Sequence, residues 1–165
     1  MITRENITFR YDVQPSDPTT IEEIVRSTGF FYEHEIPVAA ELAIERLAKG
    51  IESGYLFVFA EINGKVISYS CYGLTPCTIG TYDLYWIVTH NDYRGKGAGV
   101  KVLQETIRQI KLLAGRMLIA ETSTKDQYKP TRSFYEKNDF ICEAEIRDFY
   151  APGDGKAMYV LRKIE

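Results

Sequence analysis

Residues 7–13 read Ile-Thr-Phe-Arg-Tyr-Asp-Val, an alternation with the two-residue period of a half-buried strand. Pro15 and Pro18 interrupt it. Thr19 or Thr20 then caps an expected helix through Thr28, with Glu22 and Glu23 in its first turn, where a helix dipole favours acids. The connector over residues 29–36, GFFYEHEI, crowds aromatics and acids together. Pro37 opens a second helix with apolar positions at 38, 42, 44 and 47, and Gly50 ends it. From Tyr55 the period shortens. Residues 55–62 and 65–74 predict two strands joined at Asn63-Gly64, a strong signal for a tight hairpin. The apolar run at 81–89, TYDLYWIVT, predicts a central strand, and a glycine-rich turn leads from it into a helix over 97–114. Gly115 stops that helix. Residues 116–121 predict another buried strand, 129–137 a short helix, and 140–150 with 156–164 a closing hairpin around Ala-Pro-Gly-Asp-Gly.

The predicted order is β-α-α-β-β-β-α-β-α-β-β. It makes an α/β (α+β) protein: a mixed, largely antiparallel sheet of six to seven strands flanked by four helices. The step from 81–89 through its helix to 116–121 is a strand-helix-strand crossover, which favours one parallel pair. No linker or repeat divides the chain, so residues 1–165 are expected to form a single domain. At 45% hydrophobic and 26% charged residues it is not a disordered chain.

Charge and cysteine content narrow the function classes. A formal net charge of −3 argues against nucleic acid or an anionic membrane as partner, because both need a basic surplus. Cys71, Cys77 and Cys142 are odd in number and lack C-x-x-C spacing, which fits reduced thiols and neither a disulfide framework nor a metal site. The first residues hold no apolar leader, and no run approaches the ~20 apolar residues of a membrane span. A cytoplasmic protein, monomeric or homodimeric, is expected.

The chemistry is concentrated in Tyr93-Arg94-Gly95-Lys96-Gly97-Ala98-Gly99, between a buried strand and an amphipathic helix. Three glycines allow a ligand close to the main chain, while free amides at the helix start, Arg94 and Lys96 favour phosphate. The segment is no Walker A loop and no dinucleotide fingerprint, since both would place a glycine at Val100. Arg-x-x-Gly-x-Gly fits instead, as Arg94, Gly97 and Gly99. In this the chain resembles the GNAT family of acetyl-CoA-dependent N-acetyltransferases, whose pyrophosphate signature is [Gln/Arg]-x-x-Gly-x-[Gly/Ala]. The run from Thr131 to Phe140, TRSFYEKNDF, resembles that family's later helix, with Asp139 where a glycine is usual and Thr122-Ser123-Thr124 where an asparagine is common.

The resemblance implies the GNAT acyltransferase fold, acetyl-CoA as cosubstrate without a metal, and direct attack by a primary amine in a ternary complex. It implies that the cofactor meets Ile87 and Thr89 through main-chain groups, and Arg94, Gly95, Lys96, Gly97, Ala98 and Gly99 through the turn. Thr124 and Thr131 are further cofactor candidates. Tyr135 occupies the position of the general acid for the departing thiolate. Asp83 is the first candidate base, acting through water, and Glu121 competes with it. Phe31, Tyr32, Glu33, His34 and Tyr150 are candidate acceptor contacts, their acids suiting a cationic amine. His90 is expected to be structural. The acceptor is expected to be a small molecule or an amino acid; the alternatives are a protein amino terminus or lysine, or a non-catalytic CoA-binding module.

Overall fold

The computed structural model describes residues 6–164, so the leader-free reading of residues 1–5 lies outside the described residues. Among these residues seven strands form one mixed sheet in the order β1-β2-β3-β4-β5-β7-β6, accompanied by four α-helices. The chain divides into two compact units, Met1–Gly73 with Trp86–Thr106 and Leu74–Tyr85 with Ile107–Glu165.

In the first unit β1 (Thr8–Arg10) pairs antiparallel with β2 (Leu56–Ile62), and β2 with β3 (Lys65–Leu74). Asn63 and Gly64 both take positive φ, 51° and 77°, the geometry a two-residue hairpin turn demands. Helices α1 (Asp17–Ser27) and α2 (Ile36–Lys49) cover this part of the sheet. Ile21, Ile24 and Val25 of α1 and Ile36, Ala39, Ala40 and Ala43 of α2 are buried in one core with Phe57, Phe59, Tyr69 and Val88. The helical spacing of the apolar positions explains that shared face.

The first strand is shorter than its sequence period suggests. Arg10 ends it with a bidentate contact to Asp17, at 2.7 and 2.9 Å, and a bond to Glu61 at 2.7 Å. The backbone of Gln14 also donates to Asp17, so the chain folds over this buried carboxylate and leaves the ladder. Helix α1 correspondingly starts two residues before Thr19, and Thr20 bonds back to the Ser16 carbonyl instead of capping.

In the second unit the first half of β4 (Thr81–Thr89) pairs in parallel with β5 (Met117–Ser123), from Thr81–Met117 to Leu84–Ala120. Helix α3 (Ala98–Leu112) makes the crossover, as the strand-helix-strand order requires. β7 (Asp154–Leu161) pairs antiparallel with β5 and with β6 (Ile141–Ala151) at the sheet edge, and α4 (Lys129–Lys137) precedes this hairpin. The closing turn is tighter than expected, centred on Pro152-Gly153, because β7 already begins at Asp154. No helix among the described residues is long and apolar enough to cross a membrane.

Candidate active site

The first unit carries the phosphate-type turn. His90 leaves β4 in an extended conformation, donates its backbone N–H to the Ile67 carbonyl, and accepts the Asp92 N–H on Nδ1 at 3.2 Å. His90 is thus a structural cap for the single 3-10 turn at Asn91–Tyr93. Ser27 pins the same turn by accepting the Asn91 N–H at 3.0 Å. Gly95 and Gly97 then adopt φ of 73° and 87°, with no atom within 4 Å of where a Cβ would stand. Such angles cost a side-chain-bearing residue about 1–2 kcal/mol, so the glycines are required by conformation.

Ala98 is buried at the start of α3, whose first amides have no carbonyl a turn earlier within the helix. Arg94 is exposed with no side-chain partner among the described residues, while Lys96 donates to the Asp92 carbonyl at 2.9 Å. Free amides, helix dipole, open space and an unengaged guanidinium could together hold an anion. Upstream, Thr89 holds a 2.8 Å bond to Ser68, which also donates to the Val88 carbonyl, so this end of β4 is fixed by side-chain bonds. Ile87 is half-buried beside it.

The connector residues do not act as one group. Phe31 turns inward onto Trp86, with ring centroids 5.4 Å apart. Tyr32, Glu33 and His34 stay exposed; Tyr32 stacks on His34 at 5.7 Å, and Glu33 faces Arg26 at 3.6 Å.

The second unit carries the candidate acid and bases. Tyr135 is buried on α4, its ring wedged against Phe140 at 5.2 Å and Tyr159 at 5.7 Å. Its hydroxyl has no hydrogen-bond partner among the described residues, and burial pushes its pKa well up, so it keeps its proton. Tyr159, in contrast, donates to Glu136 at 2.9 Å. Asp139 ends this region at φ 68°, the left-handed angle its place in the motif requires. Asp83 is half-buried and accepts the Thr75 hydroxyl at 2.7 Å. Its ladder partner is Ile119, two residues before Glu121, which places both acids on one face of the sheet. Glu121 is ion-paired with Lys156 at 2.5 Å.

Thr124 sits at the end of β5 and accepts the Gly155 N–H at 3.0 Å; Thr131 is half-buried in the first turn of α4. Tyr150 is exposed, with its phenol raised by partial burial and by the neighbouring Glu121, Asp154 and Tyr128. Glu121, Thr124 and Tyr150 thus gather around the start of β7. Lys156 and the Ser123–Asp154 hydrogen bond belong to this neighbourhood, and Thr75 holds Asp83; none of these was singled out in the sequence. Their partners lie on other strands, and only the register reveals them. Among the described residues no group of His, Cys, Asp or Glu could hold a metal.

Comparison with known proteins gives this geometry a context. The family model for the acetyltransferase (GNAT) domain matches residues 53–142. A Desulfovibrio desulfuricans protein assigned to the GNAT family of acetyltransferases is 43% identical, covering 96% of this chain and 99% of that one, with a TM-score of 0.93. A Salmonella typhimurium protein described as an acetyltransferase, solved with its cofactor acetyl-CoA, is 18% identical over 95% of this chain and 94% of its own, with a TM-score of 0.74. An aminoglycoside 6'-N-acetyltransferase complexed with coenzyme A is 13% identical over 94% and 95%, with a TM-score of 0.73. The last two share the fold, the seven-stranded mixed sheet with four helices. No curated protein matches the sequence.

Proposed function

The chain belongs to the GNAT family of acetyltransferases, and from that premise we propose that it moves an acetyl group from acetyl-CoA to a primary amine of a small molecule or amino acid. The observation that carries this is the 94–99 turn: left-handed Gly95 and Gly97 with open space above them, opening α3 beside an unengaged Arg94. Solved neighbours with CoA or acetyl-CoA support the choice of cosubstrate.

In this reading Arg94, Lys96 and the backbone of residues 95–99 hold the pyrophosphate, and main-chain groups at Ile87 and Thr89 hold the pantetheine arm, with Thr124 and Thr131 as further contacts. The neutral amine attacks the thioester carbonyl carbon, the new C–N bond forms, and the C–S bond breaks. Tyr135 supplies a proton to the leaving sulfur; burial raises its phenol and keeps the proton on it until the sulfur departs. Asp83 takes the amine proton through water. It is preferred to Glu121, whose carboxylate already faces the Lys156 ammonium, whereas Asp83 accepts one hydroxyl and retains free lone pairs. Phe31, Tyr32, Glu33, His34 and Tyr150 are the proposed acceptor contacts.

The test is free-thiol release from acetyl-CoA across a panel of amines and amino acids, with the N-acetyl product weighed by mass spectrometry. One thiol released per acetylated amine supports the reading. No amine-dependent release across the panel contradicts it.

A further inference from the structure

The closing hairpin contains a cavity of about 200 Å³, bounded by Glu145, Ile146, Arg147 and Asp148 of β6 and by Thr124 and Gly155 opposite them. It exists because the hairpin is out of step. Pairing passes from Ile146–Lys156 directly to Ala151–Asp154, so residues 147–150 stand opposite Gly155 alone. Asp148 makes the bend at φ 53°, and its carboxylate accepts the Gly153 N–H at 2.8 Å. A Cβ at Gly155 would come within 2.9 Å of the Ile146 carbonyl and 3.0 Å of the Thr124 hydroxyl, so only glycine lets the strands close here. Thr124 and Gly155 exchange two hydrogen bonds, at 2.9 and 3.0 Å, which tie the cavity to the end of β5.

The charges around it are unevenly engaged. Lys156 is bound to Glu121 and lies 4.1 Å over the Phe149 ring; Lys125 faces Asp154, and Arg162 holds Glu143. Arg147 is the one cation that lines the cavity, and among the described residues it has no ion pair or side-chain hydrogen bond. A guanidinium presents a planar fork of donors that matches a carboxylate and holds it bidentately. Two acids, Glu145 and Asp148, line the same space, so its formal charge stays negative; a polyanion is disfavoured, while a ligand bearing both an amine and one carboxylate is not. The volume lies below the ~300 Å³ where drug-sized sites begin, which suits a molecule of amino-acid size.

We propose that Arg147 is a specificity-determining residue, binding the carboxylate of an amino-acid acceptor in this cavity. The inference rests on the acetyl-transfer reading and narrows its substrate class to amines that carry a carboxylate. It shares a wall with that reading through Thr124, one of the proposed cofactor contacts.

The test measures kcat/KM for the best L-amino acid in the panel, for its carboxamide and for its decarboxylated amine, on the wild type and on Arg147→Gln and Arg147→Lys. The wild type should prefer the free acid. Arg147→Gln should lose about tenfold or more on the amino acid, mainly in KM, and leave the carboxamide, the amine and the KM for acetyl-CoA unchanged. Arg147→Lys should recover part of the loss. Because Arg147 is exposed, both variants should melt with the wild type. Turnover indifferent to the carboxylate, or an equal loss on all three acceptors, overturns the proposal while acetyl transfer stands. Absence of thiol release from the wild type with every amine overturns both.

Discussion

Two buried tyrosines, Tyr135 and Tyr69, carry opposite expectations for loss of the hydroxyl. Tyr135 is held by ring contacts to Phe140 and Tyr159, so its packing does not depend on the hydroxyl. Tyr135→Phe should therefore keep the KM for acetyl-CoA and lower kcat by about 10²-fold, the low end for a general acid, since a thiol of pKa near ~8.5 leaves tolerably unaided. Steady-state kinetics under chemistry-limited conditions checks this; near-full kcat would make Tyr135 a packing residue. Tyr69 lies away from the proposed site, in the core under α1 and α2. It is fully buried, and its hydroxyl has no hydrogen-bond partner among the described residues. A buried unsatisfied hydroxyl costs about 1–3 kcal/mol, so Tyr69→Phe should be neutral or stabilising by up to about 1 kcal/mol in denaturant unfolding. A clear destabilisation would show that the hydroxyl has a partner.

At the scale of elements, one glycine sets the junction of α3 and β5. A Cβ at Gly115 would meet Ile110 Cγ2 at 2.2 Å, the Ile110 carbonyl at 3.0 Å and Tyr82 Cδ2 at 3.1 Å. Helix end and strand start approach so closely there that no side chain fits. Gly115→Ala should cost about 1–3 kcal/mol, the usual range for overpacking, and show as a lowered Tm. An unchanged Tm would mean that the junction relaxes freely. The same scale explains what was legible beforehand. Residues 65–74 and 81–89 declared their strands by apolar content, Asn63-Gly64 declared its turn, and the glycines at 95 and 97 declared a turn of positive φ between an apolar strand and an amphipathic helix. Glu121–Lys156 was not legible, because the pair depends on how β5 and β7 are aligned across 35 positions of chain. Nor was the bulge at 147–150, since the run over 140–150 alternates like an ordinary strand, and only its pairing with Asp154 and Lys156 shows four residues facing one.

At the scale of the whole molecule, buried phenols should make stability fall in alkali. Burial, with Glu136 beside it, pushes Tyr159 up to about 12, and burial raises Tyr135 and Tyr69 in the same direction. Above the ordinary value of 10, an unfolded chain gives up these protons while the folded one keeps them. The unfolded state then binds fewer protons, so stability falls as pH rises. The contribution is fully present below pH ~10 and is lost progressively towards pH ~12. Urea midpoints should stay level up to pH ~9 and drop beyond ~10, with Tyr159→Phe flattening the decline. A midpoint that rose between pH 10 and 12 would contradict this assignment.

Titration calorimetry of the intact protein with CoA, ATP and NAD tests most directly what the 94–99 turn holds. Open space above Gly97 is where a phosphate would approach, and a side chain there would fill it at a φ of 87° that already disfavours one. The wild type should bind CoA and bind ATP and NAD poorly, and Gly97→Val should weaken CoA by at least about tenfold, ~1.4 kcal/mol. Tight binding of ATP with none of CoA, or CoA binding indifferent to Gly97→Val, would contradict it.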